Sequence, residues 1–310
     1  MNEPLVSIAC ITYNHEKYIA QAIEGFLLQK TSFPIEIIIH DDASTDNTKK
    51  NVEQYAKINP NLIFPIYQQV NQYSLGNKIF VKYVFPHCRG KYIAICEGDD
   101  YWTSPHKLQR QVDYLEKHPD IAGCFNNALV IDKDDKKIKD EWYDEQKQRR
   151  DNYKKRFNQE YCLTTLRSSY PSCGLMFRGT VLLNLPKWYL KTGSDYLLDL
   201  LITEYGNLVY LPFIGSAYRI HEKGIWQGAN KIERLNMQLY RYIGLYSSKN
   251  MRSKYSAYLK NEILTFSFNI SKEYDKLFDT RHYLLYKLLY YKYKFLTKLD
   301  MLKFRAPDVK

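Results

Sequence analysis

Three carboxylates fall within four positions in Glu97-Gly98-Asp99-Asp100, directly after the apolar run Tyr92-Ile93-Ala94-Ile95-Cys96. Like charges this crowded repel unless a cation sits among them, and Mg²⁺ or Mn²⁺ is commonly held by one or two carboxylates together with phosphate oxygens. An ion so placed would neutralise a departing diphosphate. The same acids could equally be solvated, or cap a helix opening at Lys107-Leu108-Gln109-Arg110-Gln111. A second acidic group, His40-Asp41-Asp42-Ala43-Ser44-Thr45-Asp46, follows another apolar run. A carboxylate there could accept from a base N–H or a ribose hydroxyl, while Asp46 or Ser44 suits the N-cap of the next helix. Further along, Arg219 and His221 alternate on a strand-like stretch and so face the same side. A guanidinium there could pair with a diphosphate, and an imidazole could ligate a metal or donate a hydrogen bond. Trp102 and Trp226 could stack on a sugar ring or simply fill a core.

The elements that must position these groups are legible in the hydrophobic pattern. Leu5–Ile11, Ile35–Ile39, Leu62–Ile66 and Tyr92–Cys96 read as buried strands. Ile19, Ile23, Phe26 and Leu27 recur at helical spacing between the first two, and a second helix is predicted from Asn47 to Ile58. Strand and helix thus alternate up to about residue 131, which predicts a mostly parallel sheet covered by helices, with ligands beyond the carboxyl ends of its strands. The charged stretch from Lys133 to Arg156 predicts a hairpin tip and an insertion. Apolar structure resumes at Cys173–Phe177, continues in an amphipathic helix from about Asp195 to Tyr205, and ends in strands at Leu208–Leu211 and Ala217–Ile220.

After Gln227 the pattern becomes helical and basic. Between Lys231 and Lys310 there are 17 Lys and Arg against 7 Asp and Glu, a balance of +10 out of a chain total of +11. Tyr283, Tyr286, Tyr290, Tyr291 and Tyr293 interleave with lysines there, a pattern that suits a helix lying on a membrane surface or an ordinary helical subdomain. Nucleic acid is not expected as a partner, because no recognised binding motif accompanies the charge. The first twenty residues carry no charged leader followed by an apolar run, and nowhere do about 18 apolar residues follow one another without a charge. The expectation is a cytoplasmic protein with room for a peripheral position on the cytoplasmic face of a membrane. Six cysteines lack any C-x-x-C pair and read as reduced core thiols.

Taken together, Val6-Ser7-Ile8-x-x-x-Thr12-Tyr13-Asn14, Asp41-Asp42-Ala43-Ser44-Thr45-Asp46 and Glu97-Gly98-Asp99-Asp100-Tyr101-Trp102 resemble glycosyltransferase family 2, the inverting enzymes of the GT-A fold. The resemblance continues through Lys107-Leu108-Gln109-x-Gln111, His118-Pro119, Ser194-Asp195, Tyr218-Arg219-x-His221 and Gly224-x-Trp226, and so spans about residues 4 to 228. It implies a GT-A domain over 1–228 and a separate helical region over 229–310. It puts Thr12, Tyr13 and Asp42 around the nucleotide base, Asp99 near the donor ribose or sugar, Asp100 on the metal with His221, and Arg219 at the diphosphate. Asn71 falls in the polar loop near the donor. Asp195 takes the position of the base that removes the acceptor proton, with Asp199 as the fallback. Two departures from the commonest pattern stand out: His40-Asp41-Asp42-Ala43-Ser44 replaces Val-Asp-Asp-Gly-Ser, and Glu97 opens the acidic motif instead of Asp.

The expected activity is transfer of a sugar from a nucleotide-diphospho-sugar, UDP-linked, to a hydroxyl of a glycan or lipid-linked acceptor in surface polysaccharide assembly, assisted by Mn²⁺ or Mg²⁺. One alternative is a sugar nucleotidyltransferase, but that chemistry wants a Gly-rich loop after the first strand, where Tyr13-Asn14-His15-Glu16 has no glycine. The other is a non-catalytic assembly partner that keeps the fold.

Overall fold

In the computed structural model of the chain, residues 3–142, 156–166, 170–193, 197–222, 224 and 228–303 are described. The sheet starts with β1 (Val6–Thr12), β2 (Ile35–Asp41), β3 (Ile63–Tyr67) and β4 (Tyr92–Ile95), with α1 (Ile19–Leu27) between the first two and α2 (Thr48–Ile58) between the next. All four strands run parallel, in the order β3-β2-β1-β4. Their near-continuous apolar sequences follow from this, because a parallel strand covered on both faces has no side to leave polar. The carboxyl ends of β1, β2 and β4 therefore bring residues 12–16, 41–46 and 96–100 to one edge.

Beyond β4 the direction changes. After β5 (Tyr101–Trp102) and α3 (Lys107–Lys117), β6 (Ile121–Asp132) pairs with β9 (Leu175–Arg178), which lies antiparallel between β4 and β6. β10 (Asn207–Ile220) runs parallel to β6, and β5 closes the edge antiparallel to β10. Two short strands complete it, β7 (Lys137–Lys139) on β6 and β8 (Arg156–Phe157) on β10. The two segments expected at Leu208–Leu211 and Ala217–Ile220 are thus one strand. Its register shifts between Leu211 and Ile214 and again between Ile214 and Ser216, and the intervening Pro212 and Gly215 disguise the continuity.

The β6–β7 turn confirms a hairpin at Lys133–Lys136, closed by Asp132 Oδ1, which accepts from the amides of Asp134 and Lys136 at 2.9 Å. α4 (Lys187–Thr192) and α5 (Leu198–Ile202) follow, the latter within the span expected for a helix. Neither residue expected to cap α2 does so: its N-cap is Asn47, which makes no side-chain cap bond, while Asp46 just before it accepts from Thr48 N at 2.9 Å through Oδ1 and Ser44 turns to Asp41. All six cysteines are free, and burial pushes the thiols of Cys88 and Cys124 up to about 12.

The chain divides into two compact units, the first of which ends with β10. The second holds α6 (Lys231–Ser247), α7 (Lys249–Lys276) and α8 (Thr280–Lys303). A capping box between Asn230 and Glu233 starts α6, and Tyr255 kinks α7. Aromatic pairs such as Tyr242–Phe266, 5.6 Å between centroids, fill its interior. Leu284, Leu285, Leu288, Tyr291 and Phe295 of α8 are exposed. Among the described residues no helix is long and apolar enough to cross a membrane.

Candidate active site

The loop after β1 and the loop after β2 are stapled together. Asn14 adopts a left-handed backbone, φ 55°, and from there its amide donates to Ser44 Oγ at 2.9 Å while its Oδ1 accepts from Thr45 N at 2.8 Å. Glu16 N donates to Asp46 Oδ2 at 3.1 Å, and Glu16 Oε2 accepts from Asn47 N at 3.0 Å. Ser44 Oγ in turn donates to Asp41 Oδ1, whose carboxyl is raised chiefly by burial. Ala43 is also left-handed, φ 62°, at the position where the commoner pattern has glycine. Thr12 is buried with its hydroxyl unpartnered among the described residues, and Tyr13 beside it is 42% exposed.

Asp42 holds the polar loop that follows β3. Its Oδ1 accepts from Gln72 N at 2.8 Å, its Oδ2 from Tyr73 N at 2.9 Å, and its carbonyl from Asn71 Nδ2 at 3.2 Å. Asn71 closes the loop on itself by accepting from Ser74 N at 2.7 Å. Asp42 and Asn71, both expected near the donor, are therefore brought together, and their mutual bonds shape the rim of the site.

The acidic motif lies against β1, with Gly98 N donating to Ile11 O at 2.9 Å. Gly98 must be small here, since a Cβ would come within 2.7 Å of Thr12 Oγ1. Asp100 is buried; its Oδ1 accepts from Arg219 N at 2.7 Å, and the Cys173 thiol lies against the same carboxylate. Burial, and after it the neighbouring Asp99 charge, hold its carboxyl well above the ordinary carboxylate range. Asp99 instead stands at the surface of the site, its Oδ2 3.8 Å from His15 Nε2. His15, Asp99 and His221, the residue peptide-bonded to the end of β10, each offer a ligand atom, and these atoms lie within 4.8 Å of one another. One carboxylate and two imidazoles fit a divalent transition ion, with remaining positions for phosphate oxygens or water. Of the two residues expected on the metal, His221 joins this group, whereas Asp100 is not part of it. His15 was not singled out from the sequence; the signal was its place directly after an asparagine able to take a left-handed turn.

Two expectations are corrected. Arg219 is not free for a diphosphate: its side chain is 1% exposed and makes an ion pair with Asp135 at 2.9 Å. Its Nε donates to Asp99 O at 2.8 Å, Nη1 to Asp132 O at 3.2 Å and Nη2 to Gln21 Oε1 at 2.7 Å. The guanidinium clamps the acidic motif to the β6–β7 turn. Trp102 is core and not a sugar platform. It is 2% exposed, packs edge-on against Phe26 and donates its indole N–H to Cys173 O at 2.8 Å. Gly25 lets α1 approach it, since a Cβ would come within 2.9 Å of the Trp102 backbone. Beneath it Lys107 is fully buried, 4.1 Å from the ring centroid, and burial lowers its pKa to about 8. Asp195 and Trp226 lie outside the described residues. Asp199, the fallback base, is 1% exposed on α5, where its Oδ1 accepts from Leu200 N, so it does not face an acceptor.

A parallel sheet that turns antiparallel after an acidic loop, with helices on its faces, is a GT-A fold. Staphylococcus aureus TarS in complex with UDP superposes with a TM-score of 0.54 at 14% identity, over 87% of this chain and 72% of that one. A Pyrobaculum calidifontis mannosyltransferase in complex with GDP-Man and Mn²⁺ gives 0.54 at 14% identity, over 96% and 84%. Residues 7–179 match glycosyl transferase family 2, and the chain belongs to that family. An uncharacterised protein of Mycobacterium tuberculosis is 48% identical over 129 residues, 42% of this chain and 36% of that one. EpsE of Bacillus subtilis, whose name assigns it to the glycosyltransferases, is 35% identical over 129 residues, 42% of this chain and 45% of its own length. The chain thus spans less than half the length of these curated relatives.

Proposed function

We propose that the chain transfers a sugar from a nucleotide-diphospho-sugar to a hydroxyl of a glycan or lipid-linked acceptor, as a step in surface polysaccharide assembly. The observation that carries this reading is the meeting of Thr12, Asp42 and Asp99 at the carboxyl ends of β1, β2 and β4, beside a ready set of metal-ligand atoms. The UDP complexes of TarS support a UDP-linked donor. His15, Asp99 and His221 would hold Mn²⁺ or Mg²⁺, which supplies charge neutralisation for the leaving diphosphate. Thr12 and Tyr13 face the base, Asp42 and Asn71 hold the loop against it, and Arg219 fixes the acidic motif. Asp195 removes the acceptor proton, a task for which inversion needs a single base.

The acceptor context follows from α8. Its exposed Leu284, Leu288, Tyr291 and Phe295 recur at spacings of four, three and four, and no acid occurs between Thr280 and Leu299 to oppose its cations. Such a helix suits the anionic cytoplasmic face of a membrane, where lipid-linked acceptors reside.

The test is a panel of nucleotide sugars incubated with the purified chain, with Mn²⁺ or with chelator, while release of nucleoside diphosphate is followed. Slow, metal-dependent hydrolysis of one donor is expected and would name the sugar. Absence of both cleavage and nucleotide binding across the panel would overturn the reading, and binding without cleavage in the presence of lipid-linked acceptors would favour the non-catalytic alternative.

A further inference from the structure

We propose that His15 is itself a ligand of the divalent ion and that this imidazole sets the metal preference of the site, favouring Mn²⁺ over Mg²⁺. The inference rests on the metal-assisted reading above. His15 is aimed rather than incidental: the left-handed Asn14 precedes it, Glu16 follows it, and both are tied to the β2–α2 loop by four hydrogen bonds. Its carbonyl accepts from the amides of Tyr18 and Ile19 at 2.9 Å, which anchors it at the start of α1. The ring therefore presents Nε2 to Asp99 Oδ2 from a backbone fixed on both sides, and it keeps 16% exposure, so an ion can reach it.

The donor chemistry then decides the ion. Mg²⁺ demands oxygen ligands at short, near-octahedral distances and gives up its water reluctantly, whereas imidazole nitrogen is a ligand of first-row transition ions, weakest for Mn²⁺ and stronger for the later ones, so each imidazole moves the site away from Mg²⁺. A site that offers nitrogen from His15 and from His221 beside one carboxylate oxygen discriminates by ligand type. An acidic motif acting through carboxylates alone would hold the two ions with little distinction.

The experiment uses the full chain and Mn²⁺, alone and with UDP, followed by loss of the free Mn²⁺ electron paramagnetic resonance signal and by ¹⁴N couplings of the bound ion. Wild type is expected to bind Mn²⁺ with nitrogen coupling and to resist competition by Mg²⁺. His15→Gln should weaken Mn²⁺ binding by about tenfold or more and reduce the nitrogen coupling. His15→Asp, which restores an oxygen ligand, should recover binding while bringing the Mn²⁺ and Mg²⁺ affinities closer together. Circular dichroism confirms that both variants fold. Unchanged Mn²⁺ affinity and unchanged nitrogen coupling in His15→Gln would overturn the proposal, as would a wild type that binds no Mn²⁺. Donor hydrolysis that persists in chelator would overturn it too and leave the transferase reading standing, whereas loss of donor binding with Mn²⁺ binding intact would do the reverse.

Discussion

Arg219 grips two consecutive acids by different atoms: its backbone amide donates to the Asp100 carboxylate at 2.7 Å, and its guanidinium donates to the Asp99 carbonyl at 2.8 Å. The first bond anchors the buried acid and the second orients the peptide that carries the partly buried one. Because the same guanidinium also reaches Asp132, Gln21 and Asp135, the acidic motif cannot shift without breaking a network.

Loss of that network should appear as instability before it appears as lost donor affinity. Arg219→Ala strands buried carbonyls and is expected to cost about 3 kcal/mol. Arg219→Lys should recover little of this, because an ammonium cannot reproduce the planar fork. Urea denaturation measures the first effect and nucleotide titration the second. A lysine variant as stable as wild type but unable to bind nucleoside diphosphate would restore the direct phosphate role.

The sequence made this clamp hard to see while making the sheet easy. β1, β2, β3 and β4 announce themselves because strands buried on both faces are apolar throughout. β6 hides behind Gly123, Asn126 and Asn127, whose burial only tertiary packing explains. Arg219 and Trp102 carry chemistry that serves a ligand or a core equally well, and the choice was made by Gln21, Asp132 and Asp135 for one and by Phe26 and Cys173 for the other. The acids after β2 and β4 were legible as a site from topology, since strand ends converge. His15 was not, because the asparagine before it signals only a turn, and where that turn aims the ring is decided by the folded loop.

Ala43 is expected to be a place where the chain can be improved. At φ 62° it sits in the left-handed region, which costs an L residue roughly 1–2 kcal/mol. Ala43→Gly removes this strain but adds freedom to the unfolded chain, so a net gain of about 0.5–1 kcal/mol should remain. Ala43→Val should lower the urea midpoint instead. A glycine variant less stable than wild type would show that the alanine methyl makes contacts that outweigh the strain.

His40 should make the fold acid-sensitive. It is fully buried on β2, stacked 5.3 Å from Tyr83, and neither ring nitrogen has a hydrogen-bond partner among the described residues. Burial lowers its pKa, against a smaller opposing effect of Asp42. The unfolded chain therefore takes up a proton near pH 6.5 that the folded chain refuses. The associated stability is fully present above about pH 6.5 and is lost as pH falls toward the folded value. His40→Val, the residue of the commoner pattern, should flatten this part of the profile. Urea midpoints at pH 7.5 and 5.5 for both proteins decide it, and an equal drop in each would place the acid sensitivity elsewhere.

Asp195 separates binding from chemistry. If it removes the acceptor proton, Asp195→Asn keeps the shape and polarity of the side chain but has no basic oxygen to offer. Donor affinity and metal binding should then remain close to wild type, while transfer falls by on the order of 10²–10⁴-fold, the usual contribution of a general base. Hydrolysis of the donor by water should fall less, because a small nucleophile can lose its proton to solvent. Single-turnover assays with the identified donor, with and without acceptor, distinguish the two. Transfer at near wild-type rate would remove Asp195 from the mechanism. Because Asp199 is buried and tied to its own helix, that outcome would send the search for the base to groups on the acceptor or to water.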